Sequence, residues 1–165
     1  MPIRNNSDGY KKLERKIKRA LRGDTLKNAL DFVAYIKANE MTLDIVTTVF
    51  SYQGKEVCCL TLDGDSHPAG PWSIYWMEYD IYEQDDFKVD EQVKKFALDH
   101  IHFCSTGHCD NSPGKPRTIF GNTYEKVCYC CLQFCVPDAE ALENIKKLIE
   151  LRKHNIITEG GSISS

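Results

Sequence analysis

The sequence predicts an α+β fold, an antiparallel sheet packed against helices in two layers, with the order α-α-β-β-β-α-β-α. Three observations predict it. Apolar residues recur at helical spacing in two stretches at the start and one at the end. Between them, two runs of period two flank Gln53-Gly54, the chemistry of an antiparallel hairpin. The 165 residues, 42% apolar and 27% charged, match an ordinary globular domain that buries a core without staples.

In chain order, Tyr10, Leu13, Ile17, Ala20 and Leu21 form the stripe of a first helix over 8–22, with Lys and Arg on its other faces. Gly23 breaks it, and Asp24 or Thr25 caps a second helix bearing Leu26, Ala29, Leu30, Val33 and Ile36. Ile45–Tyr52 is rich in β-branched and aromatic residues and reads as one strand, with Glu56–Leu62 returning beside it. Gly64, Pro68, Gly70 and Pro71 mark a loop, and Trp72–Tyr79 reads as a third strand.

Asp90 caps a helix whose stripe is Val93, Phe96, Ala97 and Ile101. Residues 105–117 read as an irregular loop. Val127–Val136 alternates as a strand that puts Cys128, Cys130, Leu132 and Phe134 on one face. Pro137-Asp138 opens a final helix. The reading is one domain over 1–156, with a disordered Gly/Ser-rich tail over 157–165.

Two blocks resemble the frataxin-like group that includes the bacterial YjbR proteins. One is the hairpin with a Cys-rich return strand and the Pro71-Trp72-Ser73-Ile74 strand. The other is the closing strand, Pro137-Asp138-Ala139-Glu140-Ala141 and long helix. The segment from Thr118-Ile119-Phe120-Gly121 through Val127-Cys128 is similar to small uncharacterised proteins of anaerobic Gram-positive bacteria. The resemblance implies a small α+β fold. Frataxins hold iron on an acidic helix ridge, whereas the first helix here is basic, so no functional residue carries over.

No run approaches the ~20 apolar residues of a membrane helix, and no apolar stretch follows the basic start. The expectation is a cytoplasmic protein without a membrane partner. In that compartment eight cysteines point to free thiols, redox chemistry or metal rather than disulfides. The densest ligand-type stretch runs from His100 to Cys109. Zinc takes four thiolate or imidazole ligands in a tetrahedron. His100 and Cys104 lie four apart at a helix end, Gly107 permits a turn, and the sheet supplies Cys128. The candidate metal set is therefore Cys104, Cys109 and Cys128 with His100 or His108, and zinc is the candidate cofactor. Free cysteine is also a common core residue, so the same thiols fit plain packing.

A net charge of −3 hides an asymmetry. Eight basic residues against Asp8 and Glu14 leave +6 through Arg22, while seven acids crowd 78–91 against Lys88 alone. The basic helix fits nucleic acid, the acidic segment of its own fold, or a second copy in a homodimer. Charge runs are as a rule solvated faces, so nucleic acid ranks below an unidentified small ligand or protein as partner. No Gly-x-Ser-x-Gly elbow and no phosphate loop occurs. The function expected from the sequence is a small intracellular binding or accessory protein with a structural zinc. A metal- or thiol-dependent enzyme and a nucleic-acid module working through the first helix are the alternatives.

Overall fold

The computed structural model describes residues 6–77, 80–104 and 114–161. The fold is α+β. Its described elements are α1 (Ser7–Ala20), α2 (Gly23–Ala38), β1 (Thr42–Asp44), β2 (Val49–Tyr52), β3 (Lys55–Leu62), β4 (Trp72–Trp76), α3 (Glu91–Leu98), β5 (Ile101–Phe103), β6 (Lys115–Ile119), β7 (Asn122–Cys135) and α4 (Ala139–Gly161). Seven described strands form an antiparallel sheet in the order β1-β2-β3-β4-β7-β5, with β6 paired to β7. The sequence treats 1–156 as one domain. The fold groups into two compact units, Met1–Ile74 with Cys135–Leu142, and Tyr75–Phe134 with Glu143–Ser165.

In the first unit, α1 buries Tyr10, Leu13 and Ile17, and its C-cap residue Leu21 is buried with them, as the spacing predicts. Ala20 of the expected stripe is exposed. Tyr10 stacks on Phe50 at 6.4 Å, and Phe32 from α2 meets Phe50 edge-on at 6.1 Å. The Tyr10 hydroxyl donates to the Met41 carbonyl at 2.6 Å, and Asn6 Nδ2 donates to the Leu43 carbonyl at 2.7 Å. Burial raises the Tyr10 hydroxyl above the ordinary tyrosine value, so it stays a donor at any physiological pH. Arg22 closes the helix end by donating to the carbonyls of Lys18, Arg19 and Leu21. The second helix begins at Gly23 (φ +59°) without a side-chain cap, so neither Asp24 nor Thr25 acts as one.

Of the strand expected over 45–52 only the second half forms, as β2, and 45–48 is a turn between it and β1. Asp44 Oδ1 accepts the Val46 N–H at 2.9 Å and the Thr47 N–H at 3.3 Å, which folds 45–48 into a turn although all four residues there are β-branched. These two amides, Val46 first, hold the Asp44 carboxyl below its ordinary value. The turn leaves Val46 88% exposed.

In the second unit, Asp90 caps α3 as expected, accepting the Val93 N–H at 2.9 Å. The helix stops at Leu98 because the His100 N–H bonds back three residues to Ala97. Ile101 therefore leaves the helical stripe and enters β5, opposite Leu132. Residues 115–117, expected in a loop, pair together with Thr118 and Ile119 against β7 as β6. The last helix continues to Gly161, beyond the expected tail boundary at 156. Ile156 is buried, Asn155 Nδ2 donates to the Tyr82 carbonyl at 3.0 Å, and Glu159 lies 3.7 Å from Arg152. Residues 162–165 lie outside the described residues.

Val136, just past β7, adopts φ +44° while its N–H donates to the Trp72 carbonyl at 3.0 Å. A β-branched residue is strained in that region. Val136→Asn, which tolerates the conformation and gives up a side chain already 37% exposed, should raise stability by about 1 kcal/mol in urea unfolding. A loss of stability would show that Val136 packing outweighs the backbone strain.

Candidate functional site

The predicted metal set is only partly within reach of description. Cys109 and His108 lie outside the described residues. Cys104 is buried, and its N–H donates to the Lys126 carbonyl at 2.8 Å. Phe103 pairs with Val127 in the antiparallel β5–β7 ladder, so Cys104 lies opposite Lys126, two residues along β7 from buried Cys128. His100 does not share a helical face with Cys104, because α3 ends before either residue. Its ring packs between Phe96 and Phe134, with centroids 4.4 Å and 5.2 Å away. Its Nδ1 lies 2.7 Å from the Phe96 carbonyl, which can only accept, so Nδ1 carries the proton and the lone pair is on Nε2. Among the described residues no three His, Cys, Asp or Glu side chains converge as a metal-binding group.

Cys128 and Cys131 stand at Cys-x-x-Cys spacing, a pattern easily passed over in Cys128-Tyr129-Cys130-Cys131. The pair lies inside a strand rather than on a turn, so it lacks the knuckle that closes such pairs on zinc. The row expected to hold Cys128, Cys130, Leu132 and Phe134 also fails at one position. Leu132 and Phe134 are buried, but Cys130 is half-buried and its Sγ lies 3.5 Å from Met77 Sδ. The β5–β7 register passes from Ile101↔Leu132 to Phe103↔Val127, two residues against five, and that irregularity shifts the alternation. In the aromatic strand, Trp72, Ile74 and Trp76 are buried on one side and half-buried Tyr75 alternates with them.

A basic face lies on α1. Lys12, Arg15, Lys16 and Arg19 fall at i, i+3, i+4 and i+7 and are all exposed. With Ile45 and Val46 from the β1–β2 turn they line an open groove of about 550 Å³. Arg15 Nε donates to the Lys11 carbonyl at 3.3 Å, which leaves its other N–H groups. None of the four forms an ion pair among the described residues.

The acidic segment has its partners elsewhere. Lys94 bridges Glu83 at 2.6 Å and Glu91 at 2.8 Å, and these carboxylates, Glu83 first, raise the lysine above its ordinary value. Asp90 meets Lys147 at 3.1 Å, Asp86 meets His154 at 3.1 Å, and Asp80 accepts the Thr118 N–H at 2.8 Å. The Val93 N–H and then Lys147 hold the Asp90 carboxyl below its ordinary value. A smaller hollow of about 170 Å³ among Phe87, Lys88, Val89, Asp90, Lys147 and Glu150 carries charges of both signs, all four of them in ion pairs.

Comparison with protein-family models, with curated proteins and with solved structures finds no match.

No two described cysteines are joined in a disulfide, and they span the full range of exposure. Burial first, then its neighbour Cys59, raises the Cys58 thiol well above the ordinary value, while Cys135 is exposed. Iodoacetamide at pH 8, read by peptide mass spectrometry, should therefore label Cys135 first and Cys58 last among the described cysteines. Early labelling of Cys58 would contradict the fold of β3.

Proposed function

We propose that the protein is a binding module rather than a catalyst, and that its α1 groove docks the phosphate backbone of nucleic acid. One observation carries the reading: four cations on one helix face line an open groove, with no ion pair among the described residues. The acids that would make this face a solvated or self-paired surface are engaged by Lys94, Lys147 and His154. Like charges three or four apart on a helix cost roughly 0.2–0.5 kcal/mol per pair. Lys12, Arg15, Lys16 and Arg19 make four such pairs, a cost that an anionic ligand would reverse.

The four residues span about 10 Å along α1, a length over which duplex DNA carries about six phosphates. The groove offers cations and two aliphatic side chains, and among the described residues no aromatic ring lines it for a base to stack on. Recognition would then rest on the backbone, with little sequence preference and a dissociation constant of about 10⁻⁴ to 10⁻⁶ M at physiological salt.

Fluorescence anisotropy with a labelled duplex should give a log–log salt slope of about −3 to −4. The Arg15→Glu/Lys16→Glu variant should lose binding while keeping or raising Tm, since it replaces like-charge pairs with opposite ones. Unchanged binding by that variant, or binding only to anionic vesicles, would refute the reading.

A structural zinc is the second reading, supported by two buried thiols on adjacent strands, Cys104 opposite Lys126 and Cys128 two residues further along β7. It needs further ligands from His100, His108 or Cys109. On this reading, elemental mass spectrometry of untagged protein finds about one zinc per chain, and Cys104→Ser removes it. Metal-free protein with all thiols titratable would retire it.

A further inference from the structure

We propose that Cys130, Met77 and His102 form a binding site for a soft monovalent metal ion, Cu(I), separate from the residues of the zinc reading. Cys130 lies on β7, the strand between β4 and β5. Met77 directly follows β4, and His102 is the central residue of β5. A thiol and a thioether thereby meet, with an imidazole on the neighbouring strand bonded to the backbone of the same cysteine, and all three residues are half-buried.

The two sulfurs already touch: the Cys130 S–H donates to Met77 Sδ across 3.5 Å. That proton occupies the position a metal would take. Two metal–sulfur bonds of about 2.3 Å span this separation at an angle of about 100°, so the sulfurs part by about half an ångström to reach the roughly 120° of a three-coordinate ion. Binding exchanges the thiol proton for the metal. Cys130–SH and Cu(I) give Cys130–S–Cu(I) and one released H⁺, with no change of oxidation state.

His102 is arranged as a ligand with its outer partner in place. Its Nδ1 lies 3.2 Å from the Cys130 carbonyl. A carbonyl only accepts, so Nδ1 bears the hydrogen and Nε2 holds the lone pair. The Tyr75 ring stands 5.8 Å from the imidazole, and its hydroxyl accepts from Gln133 Nε2 at 2.8 Å, which holds the ring beside His102. Thioether is a soft donor that favours Cu(I) over the harder divalent ions, and no carboxylate takes part in this donor set.

Anaerobic titration of the full chain with Cu(I), in competition with a coloured Cu(I) chelator, tests the site. The expected result is a tight first equivalent with one sulfur–sulfur–nitrogen shell by X-ray absorption. The remaining cysteines should bind later and more weakly. Cys130→Ser should abolish the first equivalent. Met77→Leu conserves volume and should fold as the native chain does, yet weaken that equivalent about tenfold or more, as should His102→Gln. An unchanged first equivalent in Met77→Leu, a shell of sulfur alone, or Zn(II) binding at Cys130 in preference to Cu(I) would overturn the proposal.

Discussion

The rotation of α1 about its own axis is the constraint on which the basic groove depends, and Tyr10 sets it. The ring stacks on Phe50, and the hydroxyl bonds to the carbonyl of Met41, one residue before β1. A helix held at that point must turn Leu13, Ile17 and Leu21 inward, because they follow Tyr10 at helical spacing. Lys12, Arg15, Lys16 and Arg19 are then carried outward together. Asn6 adds a second tie at Leu43, and Gly9 makes room for it, since a Cβ there would lie 2.6 Å from Asn6 Oδ1. The same two ties bring the start of β1 against α1, so the Asp44 turn places Ile45 and Val46 on the groove wall.

Charge is distributed on a matching logic. In the second unit nearly every described acid of the 80–91 segment has a specific partner, and these pairs join the segment to α3 and α4. Exposed pairs of this kind contribute little each, of order 0–1 kcal/mol. Their effect is to consume the acids locally. The first helix has no such arrangement: Arg22 is spent on helix-end carbonyls, and the four groove cations face solvent. The net charge of −3 conceals this division entirely.

Much of the fold was legible because periodicity reports burial directly. Leu13 and Ile17, Val33 and Ile36, and Ile145 and Leu148 all occupy the core faces their spacing predicts. The Asp90 cap was legible for the same kind of local reason. What escaped was decided by hydrogen bonds that spacing does not encode. Asp44 folds β-branched residues into a turn, the His100 amide ends α3 early, and the β7 irregularity moves Cys130 away from Leu132 and Phe134. The site was legible by parts. The +6 run named the helix, but only the tertiary fold brings Ile45 and Val46 beside it and gives the acids other partners. The His100–Cys109 density was visible too, whereas the meeting of Met77, His102 and Cys130 depends on strand order, which no single segment carries.

The groove on α1 is tested most directly by a ¹⁵N-HSQC titration of the native chain with a short DNA duplex at low salt. The account predicts perturbations concentrated on the amides of residues 12–19 and 44–47, fading as salt is raised. Saturating perturbations centred on β4, β5 and β7 with α1 unmoved would contradict it.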